Sequence, residues 1–119
     1  MNAAPGIDPQ GLMRLNKIGG PAFVGQMIDL FLEEAPERLI AAREAEKAGD
    51  FGAVADATHA LKSSARNFGA ERLADLAENI EMKARSQGGA NISTLLDGLE
   101  QAYAPVKVWL ETQKDSLKK

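Results

Sequence analysis

The 119-residue chain contains no cysteine. That excludes disulfides, thiolate zinc sites, iron–sulfur clusters and a cysteine nucleophile, and it fits a reducing compartment. Aromatic residues are scarce, at 5%, while alanine is abundant, a composition suited to helices packed closely on one another. Positive charge is not in excess. Fourteen Lys and Arg face seventeen Asp and Glu, for a net charge of -3, which argues against a general nucleic-acid binder with a basic face. No segment reaches the roughly 18 consecutive apolar residues of a membrane span. The N-terminus lacks the basic start and apolar core of a secretory signal, so the expected location is cytoplasmic. Histidine occurs once, as His59.

At 45% hydrophobic and 26% charged, the composition is that of an ordinary globular protein. The length suits one domain with one core, spanning residues 1–119. Pro5-Gly6, Gly19-Gly20-Pro21, Gly49-Asp50, Gly69 and Gly88-Gly89 divide the chain into helical pieces. No alternating strand pattern lies between them. A short first helix is expected from Asp8, its cap, to about Lys17, with Pro9 in the first turn. A second runs from Pro21 to about Ala48. It should bury Phe23, Met27, Leu30, Phe31, Ala35, Leu39 and Ala42, with a kink at Pro36.

The third helix starts at the cap Asp50 and ends near Asn67, where Gly69 can adopt a left-handed cap. The fourth, from Ala70 to about Gln87, buries Leu73, Leu76, Ala77, Ile80 and Ala84. The fifth begins after Asn91 and carries Ile92, Leu95, Leu96, Leu99, Ala102, Tyr103, Val106, Trp109 and Leu110. Pro105 should bend it, and the tail from Lys114 should fray. The expected fold is all-α: an up-down-up-down four-helix bundle with a short N-terminal cap helix.

On a wheel of about 100° per residue, Phe51, Val54, Thr58, Leu61, Ala65 and Phe68 form the buried stripe of the third helix. His59 lies roughly 140° from its centre, on the wet side. Gly52, Ala55 and Ser63 share that side and leave room for a bulky reacting group. Lys62 and Arg66 can place positive charge near an anion held at His59. An imidazole is a neutral nitrogen nucleophile at physiological pH. A lone histidine on a helix surface commonly has no function, so periodicity alone leaves its role open.

The run His59-Ala60-Leu61-Lys62-Ser63-Ser64-Ala65-Arg66-Asn67-Phe68-Gly69-Ala70 resembles the His-x-Leu-Lys-Gly-Ser-x-x-x-x-Gly-Ala signature of histidine phosphotransfer domains, the phosphorelay modules of two-component signalling. Length and helix order are similar over nearly the whole chain. The resemblance implies that His59 accepts a phosphoryl group from one receiver-domain aspartate and passes it to another. It implies that Lys62 stabilises the phosphoryl charge and that Gly69 is the family glycine. Ser63 stands where the family usually has glycine. Its hydroxyl can hydrogen-bond phosphoryl oxygens, or its bulk can narrow a partner's approach. Glu81 matches the polar residue that, in some members, binds the proximal ring nitrogen. The competing reading is an ordinary solvated Glu81–Arg85 pair, four residues apart.

The implied partners are response-regulator receiver domains, with a hybrid sensor histidine kinase as a further candidate, and neither nucleic acid nor membrane. The implied protein is a phosphoryl carrier rather than an enzyme. It needs no cofactor of its own, Mg²⁺ belonging to the receiver. Met1 and the lysine-rich tail favour a free-standing chain over a piece of a hybrid kinase. Two alternatives remain open: a binding-only helical module of the same fold, and a cofactor-binding bundle. Met13, Met27 and Met82 raise the thought of haem, but Met27 reads as core filler and His59 points outward. No Glu-x-x-His pair, Walker loop, kinase signature or nucleophile elbow is present.

Overall fold

The structure is a computed structural model, and it describes residues 4–86 and 91–117. Four helices follow one another: α1 (Gln10–Lys47), α2 (Phe51–Asn67), α3 (Glu71–Ser86) and α4 (Ile92–Leu117). They form an elongated bundle of 46 × 22 × 20 Å. Helices α2 and α3 share the most extensive contact, followed by α1 with α2, then α4 with α1 and α3. Among the described residues no helix is long and apolar enough to cross a membrane.

The cap helix and the first bundle helix are one long element interrupted at Gly20. A straight helix of 38 residues would span about 57 Å, more than the long axis of the molecule. Gly20 breaks it with φ 82° and ψ 179°, a backbone state that only glycine adopts without strain. Phe23 lies over Gly19 at this break. The break sets the phase of the helix beyond it. Val24, Ile28, Phe31, Ala35, Leu39 and Ala42 face the core. Phe23 and Met27 are only half-buried, and Leu30, expected inside, is 45% exposed. No kink of this kind occurs at Pro36, which sits inside helical backbone. Pro105 likewise lies inside α4.

Helix α2 begins where its sequence says it should. The Asp50 carboxylate accepts from the Ala53 N–H at 3.0 Å, satisfying one of the open donors of the first turn. It buries Val54, Ala55, Ala57, Thr58, Leu61 and Ala65. Thr58 hides its hydroxyl by donating to the Val54 carbonyl at 2.9 Å. Phe31 joins three helices, with ring centroids 5.0 Å from Phe68 and 6.1 Å from Tyr103. Helix α4 continues past the expected fraying point to Leu117. Gln113 is buried there, and Lys114 pairs with Asp29 of α1. The expected stop of α3 at Gly88-Gly89 lies outside the described residues.

Gly69 has two reasons to be glycine. Its φ is 73°, and an added β-carbon would overlap the Asp8 carbonyl oxygen. The N-terminal segment docks here by its backbone: Asp8 N–H donates to the Gly69 carbonyl at 2.7 Å and Arg72 N–H to the Gly6 carbonyl at 3.2 Å. Gly11 is equally tight, since its β-carbon would sit 2.5 Å from Gly69 N. The Asp8 carboxylate accepts from the Gln10 N–H at 3.0 Å. Gly69→Ala is expected to lower stability by about 2–4 kcal/mol, through left-handed strain together with overpacking. Gly98 has nothing within 4 Å of its β-carbon position inside α4, so Gly98→Ala should raise stability by about 0.5–1 kcal/mol. Urea denaturation midpoints check both. Equal effects of the two changes would refute this account of Gly69.

Candidate functional site

His59 projects from the middle of α2, with 55% of its side chain exposed. Helical periodicity puts it there: Thr58 and Leu61 on either side of it are both buried, and residue 59 falls on the opposite arc. Its ring is not loose. Nδ1 lies 2.9 Å from Glu81 Oε2 on α3. A carboxylate can only accept, so Nδ1 carries the hydrogen, and in the neutral ring Nε2 is then the nitrogen with the lone pair. Among the described residues nothing hydrogen-bonds Nε2.

Glu81 is not on a solvated face. Its side chain is 10% exposed, and three donors hold it. Lys62 Nζ donates to Oε1 at 2.9 Å, His59 to Oε2, and Arg85 Nε to Oε2 at 3.3 Å. Burial pushes the Glu81 carboxyl up, but the hydrogen bonds from Lys62, His59 and Arg85 outweigh this and hold it below the usual carboxylate range. Lys62 is accordingly no surface lysine. Its side chain is 20% exposed, with its ammonium anchored on Glu81.

Arg66 is placed elsewhere. It donates to Glu71 at 3.0 Å, Asp75 at 3.3 Å and Glu78 at 3.0 Å, so its guanidinium faces three carboxylates of α3 instead of the His59 ring. The small-residue stripe is also narrower than the wheel suggests. Ala55 is fully buried, leaving Gly52 and Ser63 exposed on the side of α2 that carries His59. Ser63 differs from several of the other helix hydroxyls. Thr58, Ser86, Thr112 and Ser116 bond back to the carbonyl four residues earlier, whereas Ser63 Oγ makes no such bond among the described residues. Gly69 stays at the α2–α3 turn, remote from the ring.

One contact is not foreseen from the sequence. Arg85 Nη2 reaches Asp56 on α2 at 3.4 Å, so Arg85 ties the Glu81 end of α3 to α2. The signal is present in the spacing: Asp56 lies three residues before His59 and Arg85 four after Glu81, which antiparallel helices bring level. Met82, beside Glu81, is exposed. Among the described residues no cluster of histidine and carboxylate side chains could hold a metal ion.

The family profile of the Hpt domain matches residues 26–109. The chain belongs to the Hpt family. The whole fold is also similar to the crystal structure of histidine-containing phosphotransfer protein B (HptB) from Pseudomonas aeruginosa PAO1. That likeness has a TM-score of 0.90 at 25% identity and covers 96% of this chain and 98% of that one. No curated protein matches the sequence. The Hpt match takes in His59, Lys62, Ser63, Arg66, Gly69 and Glu81 together, so the Glu81 cluster lies within the domain that defines the family.

The Glu81 cluster gives a pH test of this Hpt domain. A carboxyl held low in the folded state adds stability above its unfolded value of about 4.3, and that stability is lost as pH falls through the lower folded value. Glu81→Gln should therefore cost about 1–3 kcal/mol near pH 7. The gap to wild type should narrow as pH falls below about 4.3 and through the lowered folded value, where the wild-type carboxyl also becomes neutral. Urea midpoints across that range measure it. A gap independent of pH would show that the charge of Glu81 adds nothing.

Proposed function

We infer that His59 is the phosphoacceptor of this Hpt protein. The observation that carries the reading is the ring itself: Nδ1 is held by a buried carboxylate at 2.9 Å, while Nε2 is unbonded on a half-exposed side chain. The nucleophile is thus oriented and in the right tautomer before any partner arrives. An Hpt protein is a phosphocarrier that passes phosphoryl groups to receiver domains of response regulators. In this chain the Nε2 lone pair would attack the phosphorus of an aspartyl phosphate, and the aspartate would leave as a carboxylate.

The other residues take supporting parts. Lys62 lies one turn from His59 and can turn its ammonium from Glu81 toward the phosphoryl oxygens, where charge is greatest in the transition state. Ser63, one turn beyond the ring on the same face, offers an uncommitted hydroxyl to those oxygens. Arg66 ties α2 to α3, and Gly69 shapes the turn. The receiver supplies the aspartate and Mg²⁺ and so most of the catalysis. This chain needs no cofactor in that scheme. A receiver fused to a sensor kinase, as in a hybrid kinase, serves as donor equally well.

The test is transfer from a phosphorylated receiver. Wild type should take a label that is acid-labile and base-stable, and His59→Gln should take none. Labelling of His59→Gln at the wild-type level would end the reading. Lys62→Ala should slow transfer about ten-fold, equal to about 1.4 kcal/mol of transition-state stabilisation, with unchanged helical circular dichroism. Ser63→Ala should slow it about three-fold, as for one neutral hydrogen bond. Faster transfer by Ser63→Gly than by wild type would instead make the serine an obstacle.

A further inference from the structure

We propose that Glu81 keeps the Nδ1 proton on the His59 ring through both half-reactions, so that a neutral imidazole both attacks and leaves. The proposal rests on His59 being the phosphoacceptor, and it concerns the release of the phosphoryl group as well as its capture.

The charged groups of the network that holds the ring are Glu81, which bonds Nδ1 directly, Lys62 and Arg85, which bond Glu81, and Asp56, which bonds Arg85. Among the described residues no side chain of α1 or α4 makes a polar contact with His59 or Glu81. The carboxylate is therefore fixed by three donors, one on Oε1 and two on Oε2. It is also shielded from water, which would otherwise compete for the Nδ1 hydrogen. Arg85 has a second anchor on Asp56. Lys62 is the one cation of the set with an alternative partner once a phosphoryl group arrives. If Lys62 leaves, Arg85 still holds the carboxylate ionised.

The chemistry then balances without a proton in flight. On loading, the Nε2 lone pair forms the P–N bond, and the P–O bond to the donor aspartate breaks with its electrons going to that oxygen. The ring now bears the phosphoryl group on Nε2 and the proton on Nδ1, a cation directly against the Glu81 carboxylate. On release, a receiver aspartate oxygen attacks phosphorus. The P–N bond breaks, its electron pair returns to Nε2, and Nδ1–H is unchanged. The departing group is neutral imidazole. If the phosphorylated ring lost its Nδ1 proton, the departing group would be imidazolate, a far stronger base and a far poorer leaving group. A neutral glutamine at position 81 can still accept the Nδ1 hydrogen bond but cannot offset the ring's positive charge.

The experiment loads the whole protein with phosphoramidate. It then follows the phosphohistidine by ³¹P NMR and measures onward transfer to one purified receiver domain from about pH 6 to about pH 9, the range in which an unperturbed imidazole, with its value of about 6.5, goes from partly protonated to neutral. In wild type the phosphorus resonance should stay constant. With Glu81→Gln it should move with pH, and the ratio of variant to wild-type transfer should fall from near one at the acid end to about one-tenth at the alkaline end. Using the same receiver for both cancels its own pH dependence. A wild-type resonance that titrates across this range overturns the proposal, whether or not the variant folds. A variant defect of equal size at every pH also overturns it, because Glu81 would then be structural only. Failure of wild type to take any phosphoryl group would instead remove the phosphoacceptor reading beneath it.

Discussion

The buried carboxylate of Glu81 is the constraint around which the functional end of this molecule is organised. An ionised group that is nearly out of water must be met by donors, or it destabilises the fold by several kcal/mol. Here the donors are His59, Lys62 and Arg85. Two come from α2 and one from α3, so meeting the charge requires those helices in one axial register. The same contacts that make the carboxylate tolerable fix the rotamer and tautomer of the histidine. Stability and chemistry are served by one set of distances.

That register is held from the turn as well. Gly69 lets the Asp8 backbone approach closer than any side chain would allow, and the N-terminal segment bonds both Gly69 and Arg72. Arg66 binds three carboxylates spaced along α3. An exposed ion pair alone contributes little, but a shared guanidinium with several fixed partners resists sliding of one helix along the other. The Hpt fold thus places its rigid contacts on both sides of the histidine. The ring is left half in solvent between them.

What the sequence shows clearly is local. Asp50 caps α2 by its own side chain, Gly69 stops it, and apolar spacing puts His59 outside, because each depends on residues within a turn or two. What it hides depends on another helix. The phase of α1 comes from the break at Gly20, and nothing in Phe23 or Leu30 announces that Val24 and Ile28 will face the core instead. Ala55 reads as a small surface residue until the bundle closes over it. Arg66 and Lys62 look alike as exposed basic residues. Only the position of Glu71, Asp75 and Glu78 separates the one that faces away from the one beside the ring. Pro36 is misleading because a helix packed on its neighbours tolerates one missing hydrogen bond, whereas a positive φ cannot be accommodated in a helix at all.

The ion pairs around His59 leave an imbalance. Lys62, Arg66 and Arg85 face Glu81, Asp56, Glu71, Asp75 and Glu78, so three cations meet five carboxylates. Most phosphate-handling sites gather anions by an excess of positive charge. This resting surface does the reverse. Inorganic phosphate and nucleotides meet no excess of positive charge here that would concentrate them at the ring. With His59 as the proposed acceptor, such a surface favours a phosphoryl group brought in by a partner whose own metal ion offsets its charge over one captured from solution.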